Sequence, residues 1–260
     1  MSGRHLQSGI AAALACALLH ACADAGAHKT YSQNARENFD KGEEAFKDGA
    51  FQEAVDYFNQ VKNKFPYSKY AVAAELRAAD SLYEDEKYIE AADAYRLFAK
   101  LHPTNEKTAY AMFRVGLCHH KQVPRDWFFM PPVHEEDQTQ VKATIEAMQQ
   151  FLLRFADSPD AKEARTVVAA CRERLAQHEL YVAQFYFKRE RFKAAQQRAE
   201  GLLKIYAGLG LDDTAMLIVA KSLLGQARGA EARAALEKLV TEFPKSRAAA
   251  EARDLLAESR

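Results

Sequence analysis

Apolar residues recur along most of the chain at the spacing of amphipathic helices, and the segments that show this spacing come in pairs. The pattern repeats at an interval of 37 residues, which relates Phe51 to Tyr88 and Ala54 to Ala91. A fixed interval of this length is typical of a protein built from stacked supersecondary units. Small residues mark the predicted helix crossings, at Gly42, Ala79, Gly116, Ala183 and Ala220 in one helix of a pair and at Ala54, Ala91, Ala195 and Ala232 in the other.

Short polar segments and prolines predict where the helices end. Tight turns between the two helices of a pair are predicted at residues 48–50, 85–87 and 189–191. Prolines predict the ends of second helices, at Pro66, Pro103 and Pro244. Polar side chains that follow are predicted as helix N-caps, at Ser68, Asn105, Ser158 and Ser246.

The sequence therefore predicts an all-α fold, a right-handed solenoid of five helix pairs that resembles the tetratricopeptide pattern. One helix pair cannot bury its apolar face alone, so neighbouring pairs must stack. The five predicted units are residues 35–68, 72–105, 109–158, 176–209 and 213–246.

The third unit contains an insertion. Gly42 and Pro66 are 24 residues apart, whereas the corresponding Gly116 and Ala156 are 40 apart, so sixteen residues have been added between the two helices. The insertion includes the segment DWFFMPPVH at 126–134.

Trp127, Phe128 and Phe129 lie in this insertion. One hypothesis is that they contact a partner at the mouth of a groove. The alternative, which we favour, is that they pack beneath their own loop as a small apolar cluster, because exposed patches this apolar promote aggregation.

A single long helix is predicted over residues 161–187, before the fourth pair. A long helix here would divide the solenoid into two parts. The predicted N-terminal half is 34–160, with three repeats, and the predicted C-terminal half is 161–260, with the long helix and two repeats.

The first residues predict a lipoprotein signal peptide, residues 1–21, that is removed. Its apolar run at 10–19 is shorter than the roughly 20 residues of a membrane-spanning helix. The LHAC segment that ends at Cys22 resembles a bacterial lipobox. Cys22 is therefore predicted to carry diacylglycerol and N-acyl lipid. Residues 22–33 are predicted to form a flexible tether. Cys16 is a second candidate, with Ala13 three residues before it, but cleavage there would truncate the apolar run. The other alternative is ordinary secretion, with cleavage at a nearby alanine.

Composition excludes some functions. Lys plus Arg equals Asp plus Glu, 36 against 36, which argues against nucleic-acid binding because that binding depends on excess positive charge. An oxidising periplasm permits a disulfide between Cys118 and Cys171, but the apolar residues around them favour two buried, unreactive thiols. His119 and His120 are adjacent and point in different directions on a helix, so no metal site is predicted.

Two further sets of residues are candidate partner-binding positions. Tyr67 and Tyr70 follow the first unit, where they either line a peptide groove or hold adjacent repeats together. Lys188, Arg189 and Arg191 belong to a basic run that either docks an acidic surface or is a solvated helix end.

Three segments resemble the BamD family of β-barrel assembly lipoproteins: residues 65–71, 137–159 and 175–206. The resemblance implies a non-enzymatic protein on the periplasmic face of the outer membrane. It also implies contacts with the POTRA domains of BamA, with other Bam lipoproteins and with unfolded outer-membrane β-barrel proteins. Glu136 departs from the family, which commonly has arginine there.

Two rival functions differ in what they require. A secretin pilotin is another tetratricopeptide lipoprotein, but we do not expect it to have the HELYVAQFYF segment at 178–187 or the long helix. A lytic transglycosylase needs a catalytic domain, and we expect none because 14 residues follow residue 246. No Ser-His or glycine-rich phosphate signature is evident, so an enzyme is not expected.

Overall fold

A computed structural model describes residues 30–124 and 137–258 of the protein. Within these residues the regular structure consists of eleven α-helices and no strand, which confirms the predicted all-α class. The helices are α1 Tyr31–Lys47, α2 Phe51–Lys64, α3 Ala71–Glu84, α4 Tyr88–Leu101, α5 Thr108–Lys121, α6 Thr139–Arg154, α7 Ala161–Lys188, α8 Phe192–Ile205, α9 Asp212–Gly225, α10 Gly229–Glu242 and α11 Arg247–Glu258.

Three-residue turns connect the helices of a pair. The second residue of each turn has a positive φ, at Gly49, Glu86, Glu190 and Ala227. This left-handed residue closes the preceding helix, because the next N–H then reaches back to a carbonyl of the last turn. For example, the Lys87 N–H donates to the Leu82 carbonyl at 2.9 Å. The three predicted turns are confirmed, and a fourth lies at 226–228.

The small residues predicted at the crossings are all buried, which confirms the pairing of the helices. Two of them are glycines against which a side chain of the paired helix packs closely. A Cβ on Gly42 would lie 2.7 Å from the ring of Phe58, and one on Gly116 would lie 2.7 Å from the sulfur of Met148. The close approach of the paired helices therefore depends on the missing side chains.

The insertion and the long helix are where the sequence predicts them. Residues 122–138 separate α5 from α6, compared with three residues in the turns of the other pairs. The long helix α7 spans 28 residues, ends one residue later than predicted, and packs against both α6 and α8.

The described chain divides into two compact units, one up to Ala78 and one from Ala79. In the first unit α1 packs against α2. In the second, each helix from α4 to α10 packs against the next, as a stack of paired helices requires. The predicted halves at 34–160 and 161–260 are a different division and stay a prediction.

The predicted N-caps are partly wrong. Ser246 does cap α11, because its hydroxyl accepts the Ala249 N–H at 3.0 Å. Ser68, Asn105 and Ser158 do not cap helices, since α3, α5 and α7 each begin three residues later. These polar residues lie in a turn of their own, in which the Asn105 side chain accepts the Lys107 N–H at 2.8 Å.

Candidate partner-binding surfaces

Tyr67 and Tyr70 differ in their surroundings. The Tyr70 ring is half-buried, with its centroid 5.5 Å from that of Phe39, and it belongs to the core of the first unit. The Tyr67 side chain is 95% exposed, while its backbone N–H donates to the Tyr31 hydroxyl at 3.3 Å. Tyr70 therefore has a packing role, and Tyr67 presents its ring to solvent. Partner binding by either stays a prediction.

The basic turn, which we define as Lys188, Arg189 and Arg191, is exposed at the end of α7. The Arg189 guanidinium lies 3.8 Å from the ring centroid of Phe185, a side chain that is itself 39% exposed. A cation stacked on an exposed ring offers both charge and apolar area to a partner. The basic turn is thus accessible, although its role in binding stays a prediction.

Other candidate residues, Trp127, Phe128, Phe129 and the lipidation residue Cys22, lie outside the described residues. The two ends of the insertion are described, and Arg174 of α7 contacts both. Its Nη1 donates to the Pro124 carbonyl at 2.6 Å, and its Nε donates to Gln138 Oε1 at 3.1 Å. The long helix therefore anchors the two ends of the insertion, a contact that no local sequence pattern predicts.

A buried polar network joins α3, α4 and α5. The Asp80 carboxylate is 7% exposed and accepts hydrogen bonds from the hydroxyls of Tyr95, at 2.6 Å, and Tyr110, at 2.9 Å. Arg114 Nε donates to the Tyr95 hydroxyl at 3.1 Å, and its guanidinium lies 3.6 Å from the ring centroid of Tyr83. We call this network the Arg114 lock.

The environment of the Arg114 lock keeps its tyrosines protonated. Burial, reinforced by the negative charge of Asp80, raises the pKa of Tyr110 to about 12. The same two causes raise the pKa of Tyr95 far above its ordinary value. A buried carboxylate that is satisfied by phenols and a nearby guanidinium is a structural device, since every polar group has its partner.

A related lock occurs in the first unit, 37 residues earlier. Arg77 forms two hydrogen bonds to Glu43, at 2.6 and 3.1 Å, and its guanidinium lies 4.0 Å from the ring centroid of Phe46. Arg77 corresponds to Arg114, and Glu43 to Asp80, at the repeat interval. The 37-residue interval is therefore the sequence signal that relates Arg77 to Arg114 and Glu43 to Asp80.

The remaining candidates for reactive or metal-binding residues are the two cysteines and the adjacent histidines of α5. Cys118 and Cys171 are free thiols, and both are buried, as the sequence predicts. Burial raises the pKa of the Cys118 thiol to about 12, so it is protonated at neutral pH. His119 Nδ1 lies 3.1 Å from Gln140 Oε1. Over 30–124 and 137–258, no group of three His, Cys, Asp or Glu side chains is placed to hold a metal ion.

In the part of the chain that the structure describes, every helix falls short of the length or the apolarity that crossing a membrane requires.

Helices that pair and stack in this way define a helical-repeat protein. The model of the YfiO family, described as outer membrane lipoprotein, matches residues 32–236. The chain therefore belongs to this family of outer membrane lipoproteins.

Several curated proteins are similar to the chain, and each is named outer membrane protein assembly factor BamD. The one from Neisseria meningitidis serogroup A is 28% identical over 241 residues, which are 88% of this chain and 88% of that protein. The one from Pasteurella multocida is 26% identical over 206 residues, 78% of each. The one from Vibrio cholerae is 27% identical over 173 residues, 65% of this chain and 70% of the relative.

Proposed function

We propose that the chain is a non-enzymatic lipoprotein component of the machinery that folds and inserts β-barrel proteins into the outer membrane. The observation that carries the proposal is the family match over residues 32–236, together with relatives that are all named as outer membrane protein assembly factors. The proposed partners are the POTRA domains of BamA, other Bam lipoproteins and unfolded barrel proteins.

The described structure suits a binding role. Its helices are packed before any partner arrives, so a partner does not have to order the binding surface. In the proposal, the basic turn docks an acidic surface of the POTRA domains. Exposed charges of this kind speed association and select the partner more than they tighten binding. Tyr67, whose ring is 95% exposed, would contact the unfolded substrate.

The proposed location is the periplasmic face of the outer membrane, with acyl chains on Cys22 as the anchor. Each buried CH₂ of an acyl chain contributes about 0.8 kcal/mol, and stable anchoring needs more than one chain. Membership of an outer membrane lipoprotein family supports this location.

The test is affinity purification of the tagged full chain from outer membranes dissolved in a mild detergent. We expect recovery of a large POTRA-containing barrel protein. Recovery of a secretin in its place would overturn the proposal in favour of a pilotin.

A charge-reversal variant tests the proposed contact within the same experiment. Replacing Lys188, Arg189 and Arg191 with Glu is expected to reduce recovery of the barrel protein at least tenfold. The matched control replaces three exposed lysines elsewhere in the same unit, Lys162, Lys204 and Lys245. It changes the net charge equally and is expected to leave recovery unchanged. Equal losses from both variants would rule out a specific role for the basic turn.

A further inference from the structure

Two grooves in the second unit occupy equivalent places in the repeat. The first is formed by α4, α5 and α6 and has a volume of about 220 Å³. The second is formed by α8, α9 and α10 and has a volume of about 320 Å³. In each, the middle helix packs against both of its neighbours, so it forms the floor and the outer two form the walls.

The two grooves share their apolar floor, position for position. Met112 and Val115 are the fifth and eighth residues of α5, and Met216 and Val219 are the fifth and eighth residues of α9. The walls share an alanine as well. Ala147 in α6 and Ala235 in α10 line their grooves at the same distance from the last residue of their helices. The grooves are therefore two copies of one surface.

The charges on the walls are reversed. Arg96, the ninth residue of α4, corresponds to Glu200 in α8, and Arg154, the last residue of α6, corresponds to Glu242 in α10. With Lys100, the first groove has three cations and no carboxylate among its lining residues. The second groove has three carboxylates, Glu200, Asp212 and Glu242, and one cation, Lys238.

The arginines of the first groove are available to a ligand. Arg154 is exposed, and its Nη1 lies 3.4 Å from the sulfur of Met112 in the floor. Arg96 pairs with Asp93 at 2.6 Å, but the two side chains are 55% and 71% exposed. Exposed pairs of this kind contribute little, so a ligand carboxylate competes readily for the guanidinium.

We propose that the groove of α4, α5 and α6 binds an acidic peptide segment of a partner protein, with one apolar side chain on Met112 and Val115 and flanking Asp or Glu side chains on Arg96 and Arg154. Arginine forms two parallel hydrogen bonds with a carboxylate, and a methionine floor adapts to different apolar side chains. The cations stand on opposite walls, which favours several side-chain carboxylates over a single chain terminus. This site is separate from the basic turn, and its test does not depend on the proposed function.

The test measures binding of a fluorescent peptide to the purified full chain in detergent by fluorescence anisotropy. The probe is an acetylated and amidated 12-residue peptide of alternating Glu and Leu. We expect saturable binding that weakens as salt rises from 50 to 300 mM, because exposed charges are screened. We expect Arg96→Glu with Arg154→Glu to weaken binding at least tenfold, and the milder pair Arg96→Gln with Arg154→Gln to weaken it severalfold.

The second groove supplies the matched control. Glu200→Gln with Glu242→Gln changes the equivalent positions without making the second groove cationic, and it is expected to leave the affinity for the acidic peptide within twofold, with helical content by circular dichroism as the check on folding. A peptide with Gln in place of Glu is expected not to bind. If a Gln peptide with a free carboxyl terminus binds as tightly as the acidic peptide, the proposal is overturned. Unchanged binding of the acidic peptide to the variant with Arg96→Glu and Arg154→Glu would also overturn it.

Discussion

At the scale of residues, the Arg114 lock shows how the repeat combines burial with polarity. Asp80 would be costly to bury alone, but two phenol donors and a nearby guanidinium satisfy it. The first unit solves the same problem differently, since Phe58 stands where the second unit has Tyr95 and Glu43 is 28% exposed. The added hydroxyl in the second unit thus accompanies a deeper carboxylate.

Replacing Tyr95 with Phe tests this account. The ring still fits, as Phe58 does at the equivalent position, but Asp80 loses its 2.6 Å donor and Arg114 loses an acceptor. Leaving buried polar groups without partners costs about 1–3 kcal/mol. Urea denaturation should show this loss in the free energy of unfolding. An unchanged midpoint would mean that the hydroxyl contributes nothing to stability.

Alkaline pH should weaken the fold through the same network. An ordinary tyrosine titrates near pH 10, whereas Tyr110 in the folded protein holds its proton to about pH 12. The unfolded chain therefore loses this proton first, and the stabilisation, fully present below pH 10, is lost as pH rises toward 12. Urea midpoints at pH 8 and pH 10.5 should differ less in Tyr110→Phe than in the wild type. Tyr67→Phe, which changes an exposed ring, should behave like the wild type.

The sequence could predict part of these sites and not the rest. Exposed cations at a turn between helices, such as Arg189, follow from local pattern alone. The hydrogen bonds from Tyr95 and Tyr110 to Asp80 depend on which sides of three helices contact one another. Those contacts are known only once the helices are packed in three dimensions. The repeat interval narrows the choice, because it relates Arg77 to Arg114, but it does not reveal which carboxylate is buried.

At the scale of elements, boundaries were predicted well where backbone geometry decides them. The three-residue turns and the long helix α7 follow from turn residues and from an unbroken helical pattern. Three of the four N-cap predictions were wrong because each connection between helix pairs contains a turn of its own before the next helix begins. Ser68 and Asn105 lie in that turn. The same polar residues cap turns and helices, so a short stretch of sequence does not distinguish the two.

The two crossing glycines make a matched test of helix packing. In Gly42→Ala the new methyl group meets the fully buried ring of Phe58, whereas in Gly116→Ala it meets the side chain of Met148. Overpacking costs about 1–3 kcal/mol, and alanine returns about 1 kcal/mol of helix propensity. Because methionine rearranges more easily than a phenyl ring, Gly42→Ala should lower the urea midpoint more than Gly116→Ala. The reverse order would refute this reading of the crossings.

At the scale of the whole molecule, the account combines a lipid tether with a preformed helical binding surface. The tether rests on the apolar run at 10–19, the LHAC segment and the lipoprotein family match, and the binding role rests on the resemblance and the same match. Which partner occupies which surface could not be predicted from the sequence, because one repeat pattern serves many ligands and the deciding charges, such as Arg96 and Glu200, differ between copies of one groove.

Membrane attachment should depend on one side chain. Cys22→Ala removes the proposed site of acylation and is expected to release the protein from sedimented membranes into the soluble periplasmic fraction. Cys16→Ala is the matched control, since it changes the other cysteine of the signal peptide region, inside the apolar run at 10–19, and should leave the protein in the membrane fraction. Retention of the Cys22 variant in membranes would refute lipidation at that residue.

The most direct test of the central claim is depletion of the protein in its own cells, followed by quantification of folded β-barrel proteins in the outer membrane from their heat-modifiable migration in gels. The account predicts that many different barrel proteins lose their folded form together and recover when the wild-type chain is restored. Normal levels of folded barrel proteins, with the loss confined to a single secretin, would contradict it.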